Sequence, residues 1–164
     1  MASAFLYTTI LQVCQQKYHA NDYAEFPEIV LVSYPFTRGN KEKTRAEIAK
    51  CLAKLKKAGA SLFCVASNSF HGFLPLLSQS GFVSLVEESL KEAKRLKISK
   101  ALVLASETTI RLQLYEQPGI DCVYPPSADQ LRVNQLIRQV ARGKVNEAQS
   151  KELKRMISRL RKTL

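Results

Sequence analysis

The chain has 164 residues, enough for one domain with a substantial core. With 46% apolar and 24% charged residues it is globular in composition, which excludes a disordered chain, and no apolar run approaches the roughly 20 residues that cross a bilayer. The net charge of +11 brings polyanions into consideration as partners.

The basic excess lies late, with ten Lys or Arg against three Asp or Glu between Asp129 and Leu164. No Gly-rich or aromatic RNA-binding motif and no zinc-finger spacing accompanies it, so these cations read as a solvated face on terminal helices. A basic nucleic-acid-associated protein stays as a further alternative. Cys14, Cys51, Cys64 and Cys122 form no Cys-x-x-Cys pair, and two of them sit in apolar runs. That suits reduced thiols in a cytoplasmic protein rather than a disulfide framework or a metal site. The N-terminus has neither a basic stretch nor an Ala-x-Ala-like cleavage site, so no signal peptide is read there.

In chain order, Phe5, Leu6, Ile10, Leu11, Val13 and Cys14 predict a helix over 4–18. A polar loop follows, and Pro27 to Tyr34 reads as a strand. Pro35 and Gly39 break it, leaving Thr37 and Arg38 in a loop at its carboxyl end. Residues 42–58 form an amphipathic helix with Ile48, Cys51, Leu52 and Leu55 inward and Gly59 as its stop. An apolar strand over 61–66 ends abruptly in Ser67-Asn68-Ser69-Phe70-His71. A short helix begins near Phe73, with Pro75 in its first turns. A helix over 83–96 carries Leu85, Val86, Leu90 and Ala93 at helical spacing, with Glu87–Lys91 as an i,i+4 pair. The strand 101–105 ends in Ser106-Glu107-Thr108-Thr109 and passes into a helix over about 109–116. A short strand over 120–124 stops at Pro125-Pro126, and Ser127 is read as the cap of a helix over 128–142. The last helix, 147 to about 162, has no strand after it and is the least tied-down element. Residues 146–164 thus form a basic C-terminal helix on a single domain spanning 1–164.

Strands alternating with helices predict an α/β fold of three layers, αβα, around an open, mainly parallel sheet of about four strands. Two strand ends stand out. Each turns from an apolar run into hydroxyl and amide side chains with free backbone N–H groups, which suit a small anion such as a carboxylate. Open α/β sheets place ligands outside the carboxyl ends of their strands. Arg38 lies at a third such end and could pair bidentately with a substrate carboxylate. His71 reads either as a helix residue bonded to backbone or as an acid/base, and Glu107 as an exposed carboxylate or a base. Tyr115 reads as a packing residue.

These motifs, in this order, resemble the aspartate/glutamate racemase family of cofactor-independent racemases. In that family one strand ends in Cys-Asn-Thr-Ala-His, matched here by Ser67-Asn68-Ser69-Phe70-His71. A later one ends in Leu-Ala-Thr-x-Gly-Thr-Ile, followed by a Tyr, matched by Leu104 to Ile110 and Tyr115. Between them, Val83-Ser-Leu-Val-Glu-Glu is similar to the family's Ile-x-Leu-Val-Glu segment. The resemblance runs from about Ala4 to Leu160. It implies 1,1-proton transfer at the Cα of aspartate, glutamate or a similar small amino acid, with no cofactor. One thiol takes the proton and a second returns it on the other face, because a reference pKa of about 8.5 leaves thiolate within reach. It also implies that Asn68, Ser69 and Thr109 hold the substrate carboxylate and that Ser67 stands at the first thiol's position.

The sequence departs from the family at several of these positions. Ser67 is a hydroxyl where the family usually has a thiol, and an unassisted serine is a much weaker base. The second family cysteine lies in a Cys-Thr-Glu motif beyond the last helix read here, and Cys122 does not replace it. Thr108 stands where the second motif has Gly. The chain is expected to be shortened at both ends, with exposed sheet edges that favour a homo-oligomer. Two functions follow: an amino-acid racemase, with full or degraded activity, or a non-catalytic relative that binds a small carboxylate or serves as an assembly subunit.

Overall fold

In the computed structural model, which describes residues 2–37, 39–73, 80–144 and 146–163, six α-helices and four short strands form among the described residues. They group into two compact units, Ala2–Ser84 and Leu85–Leu164.

In the first unit, α1 (Ala2–Tyr18) half-buries Leu6, Ile10, Leu11 and Cys14. Phe5 and Val13, read as part of the inner stripe, are exposed, because the inner face follows the Leu6–Ile10–Cys14 row at i,i+4. Helix α2 (Lys41–Lys57) starts at Asn40, whose side chain accepts from the Lys43 N–H at 2.9 Å. It buries Ile48 and Leu52 against Phe63, with Phe36, Phe70 and Phe82 packed around them. Each such buried side chain contributes about 2 kcal/mol. Strand β1 (Phe63–Cys64) pairs in parallel with β2 (Phe82–Val83), Phe63 opposite Phe82. A 3-10 helix, Asn68–Phe73, follows β1. The helix expected near Phe73 falls mostly on 74–79, outside the described residues.

Two expectations for this unit are corrected. Residues 27–34 join no strand ladder among the described residues. The helix expected from Val83 begins two residues later, because Phe82 and Val83 are taken into β2. Gly81 causes this. Its φ of +82° brings its carbonyl to the Phe63 N–H at 2.8 Å, and the ladder starts there.

In the second unit, α3 (Leu85–Arg95) precedes β3 (Lys100–Leu102), which pairs in parallel with β4 (Asp121–Val123), Ala101 opposite Cys122. Lys91 pairs with Glu88 at 2.6 Å, an i,i+3 partner one residue closer than the expected Glu87. Helix α4 (Glu107–Arg111) starts two residues before the expected position and is shorter, because Ser106 caps it. Helix α5 (Ser127–Ala141) has Pro126 at its cap position with no side-chain bond, so Ser127 is the first helical residue rather than the cap. Helix α6 (Glu147–Leu160) is capped by Asn146 and ends in a 3-10 turn, Arg161–Thr163.

Far from being loosely held, α6 is anchored. Met156 and Leu160 are buried against Val133 of α5, with Leu102 and Leu104 beside them. Arg132 on α5 forms a two-pronged ion pair with Glu152, and Gln149 donates to Gln139 at 2.8 Å. The fold is thus α/β, but helices dominate it. Among the described residues its four short strands make two two-stranded parallel sheets instead of one open sheet. Among the described residues, no helix is long and apolar enough to cross a membrane.

Candidate functional site

The first strand-end turn lies in the first unit. The backbone leaves β1 at Cys64, and Ser67, Asn68 and Ser69 follow, all partly exposed. The hydroxyls of Ser67 and Ser69 are 3.3 Å apart. His71 is 2% exposed and closes the turn from below. Its Nδ1 lies 3.1 Å from the Asn68 carbonyl oxygen and 3.3 Å from that of Ser67. Carbonyls only accept, so Nδ1 carries a proton and donates it. Nε2 is buried without a partner among the described residues, and the ring packs 5.9 Å from Phe82. His71 therefore holds the Ser67–Asn68 backbone in place. Its ring bonds neither hydroxyl.

The second turn lies in the second unit and is pinned from α5. Ser106 accepts from the Thr109 N–H at 3.3 Å, and the two hydroxyls are 3.0 Å apart. Thr109 is 3% exposed, so its hydroxyl serves the turn itself, whereas Glu107 and Thr108 are exposed. Gln130 donates to the Ala105 carbonyl at 2.9 Å, and Asn134 accepts from the Glu107 N–H at 3.1 Å. The two amides also bond each other at 3.3 Å. Gln130 and Asn134 were not singled out in the sequence. Their signal was there: two uncharged amides at i,i+4 on one helix, able to reach a neighbouring turn.

The loop of Thr37 shows a second omission. Glu47, on α2 and 6% exposed, accepts from the Thr37 N–H at 2.9 Å and from its hydroxyl at 2.7 Å. Those bonds hold its carboxyl below the ordinary carboxylate range. Thr44 donates back to the Thr37 carbonyl at 3.0 Å. Arg38, the next residue, lies outside the described residues.

Proton chemistry at these turns is limited by what surrounds them. All four cysteines are free thiols, and burial pushes Cys51, Cys64 and Cys122 up, away from thiolate. Cys122 donates to the Tyr115 carbonyl at 3.3 Å, which fixes it in the structure. Among the described residues the Ser67 hydroxyl bonds only Ser69, so no base activates it. The first turn thus presents hydroxyl and amide groups, and the second presents the Glu107 carboxylate and the Thr108 hydroxyl.

No protein-family model matches the sequence. The fold is similar to the crystal structure of an aspartate racemase homologue from Pyrococcus horikoshii OT3, with a TM-score of 0.69 and 19% sequence identity. The match covers 84% of this chain and 65% of that one, so the chain spans about two thirds of that protein's length. This likeness establishes a racemase-like fold.

Proposed function

We propose that this chain is a relative of the cofactor-independent aspartate/glutamate racemases whose surviving chemistry is recognition of a small amino-acid carboxylate. The observation that carries the reading is the Ser67–Ser69 turn: two hydroxyls 3.3 Å apart at a strand end of a racemase-like fold, on backbone fixed by a buried histidine. A carboxylate bound there would accept from the hydroxyls of Ser67 and Ser69 and from the Asn68 amide. Arg38 would meet a side-chain carboxylate. Thr109 shapes the second turn, and Thr108 and Glu107 are the exposed groups it presents. In this reading the chain follows a three-layer αβα plan and works as a cytoplasmic homo-oligomer.

The alternative, racemisation by this chain itself, needs a base. Among the described residues the Ser67 hydroxyl bonds only that of Ser69, and the thiols whose shifts are resolved are pushed away from thiolate. Recognition without turnover is therefore the better-supported function. Titration of ¹⁵N-labelled protein with L- and D-aspartate and L- and D-glutamate tests it. Saturable shifts should centre on Ser67–Ser69, and Ser69→Ala should weaken binding by roughly 10-fold, the loss of about one hydrogen bond to a charged group. Unchanged spectra at millimolar ligand would overturn it.

A further inference from the structure

The strand expected over 27–34 has the composition of a buried strand but no ladder. Exposure alternates residue by residue from Leu31 to Phe36, the period-2 signature of extended chain. Yet among the described residues no backbone group of Ile29–Ser33 makes a hydrogen bond. Strand β1 is also incomplete: among the described residues it pairs along one edge only, with β2. Backbone N–H and C=O groups are rarely left unpaired in a core.

Between these two stretches lies a cavity of about 330 Å³. Four pieces of chain wall it. Two are helices, contributing Leu6 and Ile10 from α1 and Ile48 and Leu52 from α2. Two are backbone stretches, 29–34 and 64–67. None of its lining residues among those described is charged. A compact ligand would satisfy the apolar side chains but not the two rows of backbone groups. A β-strand satisfies both. It offers donors and acceptors along each edge and, if apolar on both faces, side chains for both helices, as a central strand of a parallel sheet does.

We propose that this cavity is a receptor slot for an extended, uncharged strand of a partner polypeptide, which joins Ile29–Ser33 to β1. The occupant is about five residues long, since Ile29–Ser33 spans roughly 17 Å at about 3.3 Å per residue. It is apolar on both faces and carries no proline at its centre. Recognition is by strand addition, with main-chain bonds giving affinity and the apolar walls giving selectivity.

The test is amide hydrogen exchange on the full chain with a synthetic peptide carrying a five-residue Val/Ile core between terminal lysines. Without peptide, the amides of Ile29–Ser33 should exchange nearly as fast as unstructured chain. With peptide at about 100 times its Kd they should slow by up to about 100-fold. The same peptide with proline at its centre, which removes a ladder donor, should protect far less. Ile10→Trp, which fills the slot, should abolish protection. The proline comparison uses the unaltered protein and so does not depend on how that variant folds. The proposal fails if these amides are slow without peptide, if the Val/Ile peptide leaves them fast, or if the proline peptide protects equally. It fails too if protection rises with protein concentration alone and tracks a dimer mass, because a second copy would then be the occupant.

Discussion

Ser67 carries a hydroxyl where a two-thiol mechanism needs a thiolate, and its only bonded neighbour among the described residues is another hydroxyl. The residues that give both turns their shape are less conspicuous. Asn134 and Gln130 fix the second turn, and loss of one such bond costs about 1 kcal/mol. Asn134→Ala should lower stability by that amount and speed exchange at the Glu107 amide, with thermal denaturation and hydrogen exchange as the checks. Glu47 gives a pH signature. Its folded-state carboxyl sits below the unfolded value, so its contribution is present above the unfolded pKa of about 4.3 and is lost as pH falls through the folded value. Glu47→Gln should therefore melt below the native protein at pH 7, and the gap should narrow as pH drops below about 4. A gap independent of pH would assign the effect to packing instead. The hydroxyl clusters were legible because Ser, Asn and Thr after an apolar run are unusual. Glu47, Gln130 and Asn134 were not, because polar residues on an amphipathic helix look like its solvated face until the neighbouring turn is in place.

At the scale of elements, helices were legible and strands were not. The 3.6-residue period is local, so α2, α5 and α6 lie within a residue or two of expectation. A strand needs a partner, and pairing depends on chain far away in sequence. Residues 27–34 have the residues of a strand and no ladder among the described residues, whereas Val83, read as the start of a helix, joins Phe82 in a ladder because Gly81 delivers them to Phe63. Gly81 is the position where this can be tested. A Cβ there would stand 2.0 Å from the Ser61 carbonyl oxygen, on a backbone at φ +82°. Gly81→Ala should cost about 2 kcal/mol or more, measured by denaturant unfolding, and should disturb the Ser67–Ser69 turn that follows β1. By contrast Gly59→Ala, with no atom within 4 Å of the added Cβ, should show only the cost of its positive φ.

At the scale of the whole molecule, the order of two weak motifs along the chain pointed to a racemase-like fold, and the likeness to a racemase homologue at a TM-score of 0.69 agrees. Each motif alone is an N-cap cluster that many α/β proteins share. What composition and motif order could not convey is that, among the described residues, the strands fall into two pairs, because pairing depends on chain far away in sequence. If the chain keeps the grip on a small carboxylate without the proton chemistry, as proposed, the Cα proton of a bound ligand should stay in place. The direct measurement is exchange of the Cα proton of L- and D-aspartate and L- and D-glutamate in D₂O, followed by NMR with native protein and with Ser67→Ala. Exchange should proceed at the protein-free rate in both, from ligands that still bind. Exchange well above that rate in the native protein, lost in Ser67→Ala, would contradict it and make Ser67 a working base.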